Sequence, residues 1–268
     1  MTTVNLTEAL KADYQRLFDT CHLRPERMGE IEEAIGRIQR GKPRYQTASA
    51  ATGVPWHVIA VIHHMECGGR FDQHLHNGDP LTARTVHVPA NRPPKGSPPF
   101  IWEDSAQDAL RLKRLDRWTD WSLPGILYKL EGYNGFGYRL YHPETPSPYL
   151  WAGSSHYTNG KYIQDGTWSP SAVSKQIGAA VLLRRMAETA LLEPATALPP
   201  IAPLPAGGEP LFRYDPVAVH PQGAALQAFL NTLPNIYLKV DGKLGPRSSD
   251  ALKAATGHYL AGDPREGG

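Results

Sequence analysis

The stretch TGVPWHVIAVIHHMECGGRF, residues 52 to 71, decides how most of this chain is read. Pro55 pre-sets a first helical turn. Val58 to Ile62 is apolar on every side of the helix that follows, and a helix apolar all round belongs inside a domain. Gly68 and Gly69 stop it. The pattern predicts a buried helix over 54–66 whose last residue is a carboxylate, Glu66.

A glutamate at a helix end is ordinarily a solvated charge. Here the helix end lies inside the domain, and its partial negative charge disfavours a further anion. Burial and the helix dipole both push the carboxyl pKa upward. A carboxylic acid still protonated near neutral pH is what glycoside cleavage needs in order to protonate a leaving oxygen. The competing reading is a metal site, because His63, His64, His74, His76 and His87 lie close in sequence. However, His-x-x-Glu is not the His-Glu-x-x-His spacing of zinc proteases. His63 and His64 also point about 100° apart on a helix. No metal and no cofactor is expected. Cys67 is a poor nucleophile, since a helix C-terminus raises a thiol pKa.

The chain has 268 residues, 41% hydrophobic and 20% charged, which argues against wholesale disorder. A net charge of +2 gives no strong prior for nucleic acid or an anionic membrane. Arg111, Lys113, Arg114 and Arg117 alternate with apolar residues and read as a solvated helix face. The N-terminus, MTTVNLTEALKADYQ, lacks the pattern of a signal peptide, and no run approaches the ~18 apolar residues of a membrane span. The expectation is a chain made in the cytoplasm, with no membrane insertion. Two cysteines, Cys21 and Cys67, give no disulfide framework.

Residues 5–40 read as two amphipathic helices, with Leu6, Leu10, Leu17 and Phe18 on the first and Ile31, Ile35 and Ile38 on the second. Residues 70–101 are irregular, with LTARTVHV (81–88) as the strand candidate. Helical patterning returns at 103–117, 123–131 and 171–192, the last with Ser169 as N-cap and Pro170 in its first turn. EPATALPPIAPLPAGGEP (193–210) reads as a semi-rigid linker. Beyond it, Leu226, Phe229 and Leu230 form an apolar stripe. Asp241-Gly242 and Gly245-Pro246 are turn dipeptides, and Ser248 or Ser249 caps a last helix. The predicted module has three helices and two tight turns.

Two resemblances rest on these residues. The Leu-Gln-x-x-Leu-Asn pattern of the tail, its Val-Asp-Gly-x-Leu-Gly-Pro and its final Ser-led helix resemble the small peptidoglycan-binding domain of cell-wall hydrolases, over about 216–260. The run 52–71 is similar to the catalytic-helix segment of lysozyme-like muramidases and lytic transglycosylases, with Glu66, Gly69 and Phe71 in the matching places. Tyr133-Asn134-Gly135 in LYKLEGYNGFGYR (127–139) resembles that family's Tyr-Asn-x-Gly cleft segment. The chain departs from the family at Cys67, where transglycosylases usually have Ser. It also has NGDPLTARTVHVP (77–89) in place of a Gly-Leu-Met-Gln segment.

An inverting hydrolase needs a base about 6.5–9.5 Å from its acid. Asp72 and Asp79 are candidates, and Asp79, in a turn entering the strand candidate, is preferred; the same Asn-Gly-Asp-Pro also reads as a plain turn. Residues 100–168 hold fourteen of the chain's twenty-four Phe, Trp and Tyr, a density suited either to sugar faces or to a core under long loops. Tyr133, Asn134, Tyr138, Tyr149 and Trp151 are the candidate substrate contacts.

The expected protein is a mainly α, lysozyme-like catalytic domain with a small β-wing (1–192), a Pro-rich linker (193–212) and a three-helix peptidoglycan-binding domain (213–268). The resemblances imply an endolysin-type muramidase cleaving the β-1,4 bond between N-acetylmuramic acid and N-acetylglucosamine of bacterial peptidoglycan. Glu66 would be the acid and Asp79 the base, with hydrolysis preferred over transglycosylation. A monomer with no nucleic-acid partner is expected, of phage or bacterial origin, acting on the wall after release. The rival readings are a zinc-dependent peptidoglycan amidase or peptidase and a non-catalytic wall-binding protein.

Overall fold

The computed structural model describes residues 4–164, 166–189, 191–192, 210–233 and 235–266. The chain is mainly helical and divides into two compact units, residues 1–17 with 21–185 and residues 18–20 with 186–268. Residues 193–209, most of the expected linker, lie outside the described residues.

In the first unit, α1 (Glu8–Asp19) is followed by a 3-10 turn at Pro25–Arg27 and by α2 (Met28–Thr52). Ile31, Ile35 and Ile38 bury the apolar face of α2. Its main neighbour is α3 (Trp56–Cys67), in which Val58 to Ile62 are all buried, as an all-round apolar helix requires. The α3 C-terminus closes through two glycines at φ 60° and 75°, a left-handed pair that a side chain would strain. Gly68 N–H donates to the His64 carbonyl and Gly69 N–H to that of His63.

Beyond α3, an irregular segment leads to α4 (Trp102–Leu112), which ends in a 3-10 turn at Leu115–Arg117. Trp102 is fully buried and meets the rings of Tyr45, His63 and Phe71 at centroid distances of 5.6, 4.7 and 4.8 Å. This aromatic cluster joins α2, α3 and α4. Then come α5 (Leu123–Asn134), α6 (Gly137–Tyr141), α7 (Pro148–Trp151) and α8 (Ala179–Glu188).

The β-structure is not where the sequence suggested. LTARTVHV forms no strand: Pro80 and Pro89 bracket it, and Thr85 is spent on a local turn, accepting from Arg92 N–H and donating to the Pro89 carbonyl. Among the described residues the two strands are β1 (Lys161–Gln164) and β2 (Thr167–Ser169), antiparallel, with Tyr162 opposite Trp168. Ser169 therefore ends a strand and does not cap α8, which starts ten residues later. Gly178 sets that start. A Cβ there would lie 2.2 Å from the Leu150 carbonyl oxygen, so backbone passes directly over backbone.

In the second unit the described residues hold two helices, α9 (Gly223–Leu230) and α10 (Pro246–Thr256), not three. Leu230, Ile236, Leu238, Ala251 and Ala255 form the core, whereas Phe229 faces solvent. Gly245 takes the N-cap position of α10, with Pro246 first. Ser248 and Ser249 are consequently inside the helix, buried and bonded. Ser248 serves Gln227 and the Lys243 carbonyl, and Ser249 accepts from Leu260 N–H.

Candidate active site

Glu66 stands on the last turn of α3, held from several directions. Gln176 Nε2 donates to the Met65 carbonyl at 2.6 Å, and Arg37 donates to the Gly68 carbonyl at 3.2 Å. Glu66 itself is exposed to solvent, yet protein surrounds it closely enough for desolvation to raise its carboxyl pKa. The Tyr149 hydroxyl donates to Glu66 Oε1 at 2.9 Å, and this bond, with the Lys113 ammonium, opposes the rise. A carboxyl raised by desolvation, still open to a ligand and held by one donor, is suited to give up a proton to a bound molecule.

Tyr133 and Tyr149 belong to this site. Tyr149 is buried and Tyr133 is half-buried. Burial first, and then the nearby Glu66 carboxylate, raises both phenol pKa values. They remain neutral hydroxyls. Lys113 Nζ lies 4.7 Å from the centroid of the Tyr133 ring. Asn134, one residue further, is exposed. With Gly135, Tyr138, Tyr141, Tyr162 and Gln164 it lines a cavity of about 440 Å³ between the α5–α6 corner and the β1–β2 hairpin.

The remaining sequence candidates take other roles. Tyr138 is buried; its hydroxyl accepts from Tyr162 N–H at 3.3 Å, and its ring packs against Tyr162 and Trp168 to anchor the hairpin. Trp151 is 1% exposed and belongs to the core, so it is not a substrate contact. Periodicity cannot separate a core aromatic from a site aromatic when both sit in short, irregular elements.

Asp79 is the main correction. Its Oδ1 meets His87 Nδ1 at 2.6 Å, and its Oδ2 accepts from Val86 N–H, His87 N–H and Asn77 Nδ2 at 2.8, 3.0 and 3.1 Å. Burial acts to raise its pKa, but these donors outweigh it and hold the carboxyl at about 2. A carboxylate so stabilised is a poor base. Asp79 closes the Asn77–His87 loop, which is the turn reading of Asn-Gly-Asp-Pro. Asp72 is exposed.

The histidines are dispersed among separate partners. Buried His63 bonds the Tyr45 hydroxyl and the Arg70 carbonyl; because a carbonyl only accepts, Nε2 carries the proton. Desolvation lowers its pKa to about 4. His74 bonds Ser105 and the Ala83 carbonyl, and His76 bonds Asp108. Among the described residues no three His, Cys, Asp or Glu side chains converge as metal ligands. Burial and then Glu66 push the Cys67 thiol up to about 12, and its Sγ donates to the His74 carbonyl.

Sequence reasoning missed Gln176 and Lys113. Nothing local marks Gln176, which arrives from a distant loop. Lys113 was absorbed into a solvated face, and only the fold brings it to Tyr133. Compared with models of known families, with curated proteins and with solved structures, the chain finds no match, so the reading of this site rests on its own residues.

Proposed function

We propose that the first unit cleaves the β-1,4 bond between N-acetylmuramic acid and N-acetylglucosamine in peptidoglycan, with Glu66 as the acid. The observation that carries this reading is the Glu66 environment: a desolvated yet accessible carboxyl, bonded to Tyr149 and flanked by Tyr133. Glu66 protonates the glycosidic oxygen as the C1–O bond breaks. The tied-up state of Asp79 moves the preference from hydrolysis to transglycosylation. In that reaction the ionised Glu66 takes the proton of the muramoyl C6 hydroxyl as that oxygen attacks C1. The acid is regenerated and no water is consumed. Tyr149 holds the carboxylate in place between the two steps. The residue pattern of the second unit supports a wall-binding role for it, which keeps the enzyme on an insoluble polymer.

The test is mass spectrometry of soluble fragments released from purified peptidoglycan by the full chain and by Glu66→Gln. The expected products carry 1,6-anhydromuramic ends and disappear in the variant. Reducing muramic ends would restore hydrolysis, and Asp72→Asn would then test the remaining nearby carboxylate. Free peptides would favour an amidase, and binding without any release a non-catalytic wall protein. Either result would overturn the proposal.

A further inference from the structure

The last turn of α4 and the turn after it carry four exposed cations, Arg111, Lys113, Arg114 and Arg117, against one carboxylate, Asp116. Among the described residues none of the four joins an ion pair. Three of them fit the ordinary account of charges on a solvated turn. Lys113 does not, because its ammonium is fixed 4.7 Å over the ring of Tyr133, the tyrosine beside Glu66. One side of that ammonium is satisfied by the ring face, and the other is open to solvent. A cation so placed next to a catalytic acid has no use in protonating a leaving group. It lowers the pKa of the acid it neighbours. Its position makes sense if its counter-ion arrives with the substrate.

We propose that Lys113, backed by the Arg114 and Arg117 charges, forms an anion subsite beside Tyr133 and Glu66 that takes a carboxylate of the peptide stem carried by muramic acid. This rests on the reading of Glu66 as a glycan-cleaving acid and adds a selection rule to it. Glycan strands that carry anionic stems are preferred over strands of neutral sugar. The neighbouring arginines contribute long-range attraction, which salt screens over about 8–10 Å. The Lys113 contact itself is short-ranged and set by the Tyr133 ring. An ion pair made by an exposed ammonium is modest, so the expected discrimination is about three- to fivefold.

The experiment compares kcat/KM of the full chain on glycan strands with intact peptide stems and on the same strands after enzymatic removal of the stems and amidation of the exposed lactyl carboxylates. The ratio of the two is the readout. Any effect of Lys113 on Glu66 acidity enters both substrates and cancels. Lys113→Met is expected to lower the ratio three- to fivefold, Lys113→Arg to restore it, and 0.5 M salt to flatten the difference between wild type and Lys113→Met. An unchanged ratio in Lys113→Met, with wild type active on both substrates, would overturn the anion subsite and leave the function standing. No cleavage of either substrate by wild type would overturn both. An unchanged ratio together with weaker binding of Lys113→Met to vesicles containing phosphatidylglycerol would assign these cations to a membrane surface and likewise overturn the proposal.

Discussion

Replacing Arg139 with Met tests whether a buried ion pair sets the stability of the first unit. Glu131 is 2% exposed and accepts from Arg139 Nη2 at 3.0 Å, from Arg139 Nε at 3.3 Å and from the Tyr14 hydroxyl. The group joins α1, α5 and α6. Removing the guanidinium leaves a buried carboxylate with one neutral donor. Unpaired buried charges cost about 3–5 kcal/mol. The lower end, about 3 kcal/mol, is expected because the Tyr14 bond persists and Arg139 is itself 27% exposed. In a unit of this size that lowers Tm by roughly 6–12 °C. All six tryptophans lie in the first unit, so tryptophan fluorescence during urea unfolding reports on that unit alone. The double variant Glu131→Gln with Arg139→Met removes the orphaned charge while keeping an acceptor for Tyr14. It should recover about 1–2 kcal/mol of the loss. A loss under about 1 kcal/mol in Arg139→Met, or a double variant less stable than the single one, would refute the reasoning.

Three further outcomes follow from the site and the second unit. In Tyr149→Phe the ionised form of Glu66 loses its donor, so the carboxyl pKa rises further. The alkaline limb of kcat/KM, read from a pH–rate profile, moves to higher pH. Asp79 is depressed to about 2 in the folded state, so it contributes stability above the ordinary Asp pKa of about 3.9, lost as pH falls through about 2. Asp79→Asn should lower Tm at pH 7 and lose that acid-sensitive step in Tm against pH, while chain cleavage retains its Glu66 dependence. Gln227 is buried and accepts from Asp241 and Gly242 N–H while donating to Asp241, the Lys243 carbonyl and Ser248. Gln227→Ala strands those groups at about 1–3 kcal/mol each. It should abolish co-sedimentation with insoluble peptidoglycan before it affects the tryptophan signal.

What could be read from sequence was what is encoded locally. The course of α3 follows from an apolar run, a leading proline and a glycine pair, all within twenty residues, and it placed Glu66 on the last turn. The failures have a common cause. LTARTVHV has strand-forming residues but no partner, because pairing is a property of two segments and the prolines around it leave neither edge in register. The real hairpin was short, though Asp165-Gly166 between Tyr162 and Thr167 is a turn signal of the usual kind. Asp79 and Trp151 were misread because residue type does not reveal whether a carboxylate's lone pairs or a ring's faces are already occupied. The first fifty residues carried no functional signal, and their contribution is indirect. Tyr45 meets His63 on α3, and Tyr14 meets Glu131 on α5.

An α3 buried on every side from Val58 to Ile62 has no soft direction along that stretch. Protein interiors resist compression, and a helix enclosed by them behaves as a fixed anvil. The cavity beside Asn134 is walled differently: a five-residue α6 and a hairpin of four and three residues, tied by Tyr138, Tyr162 and Trp168. Two-stranded hairpins are marginal in isolation. Yielding within this unit therefore falls to α6 and the hairpin before it reaches α3.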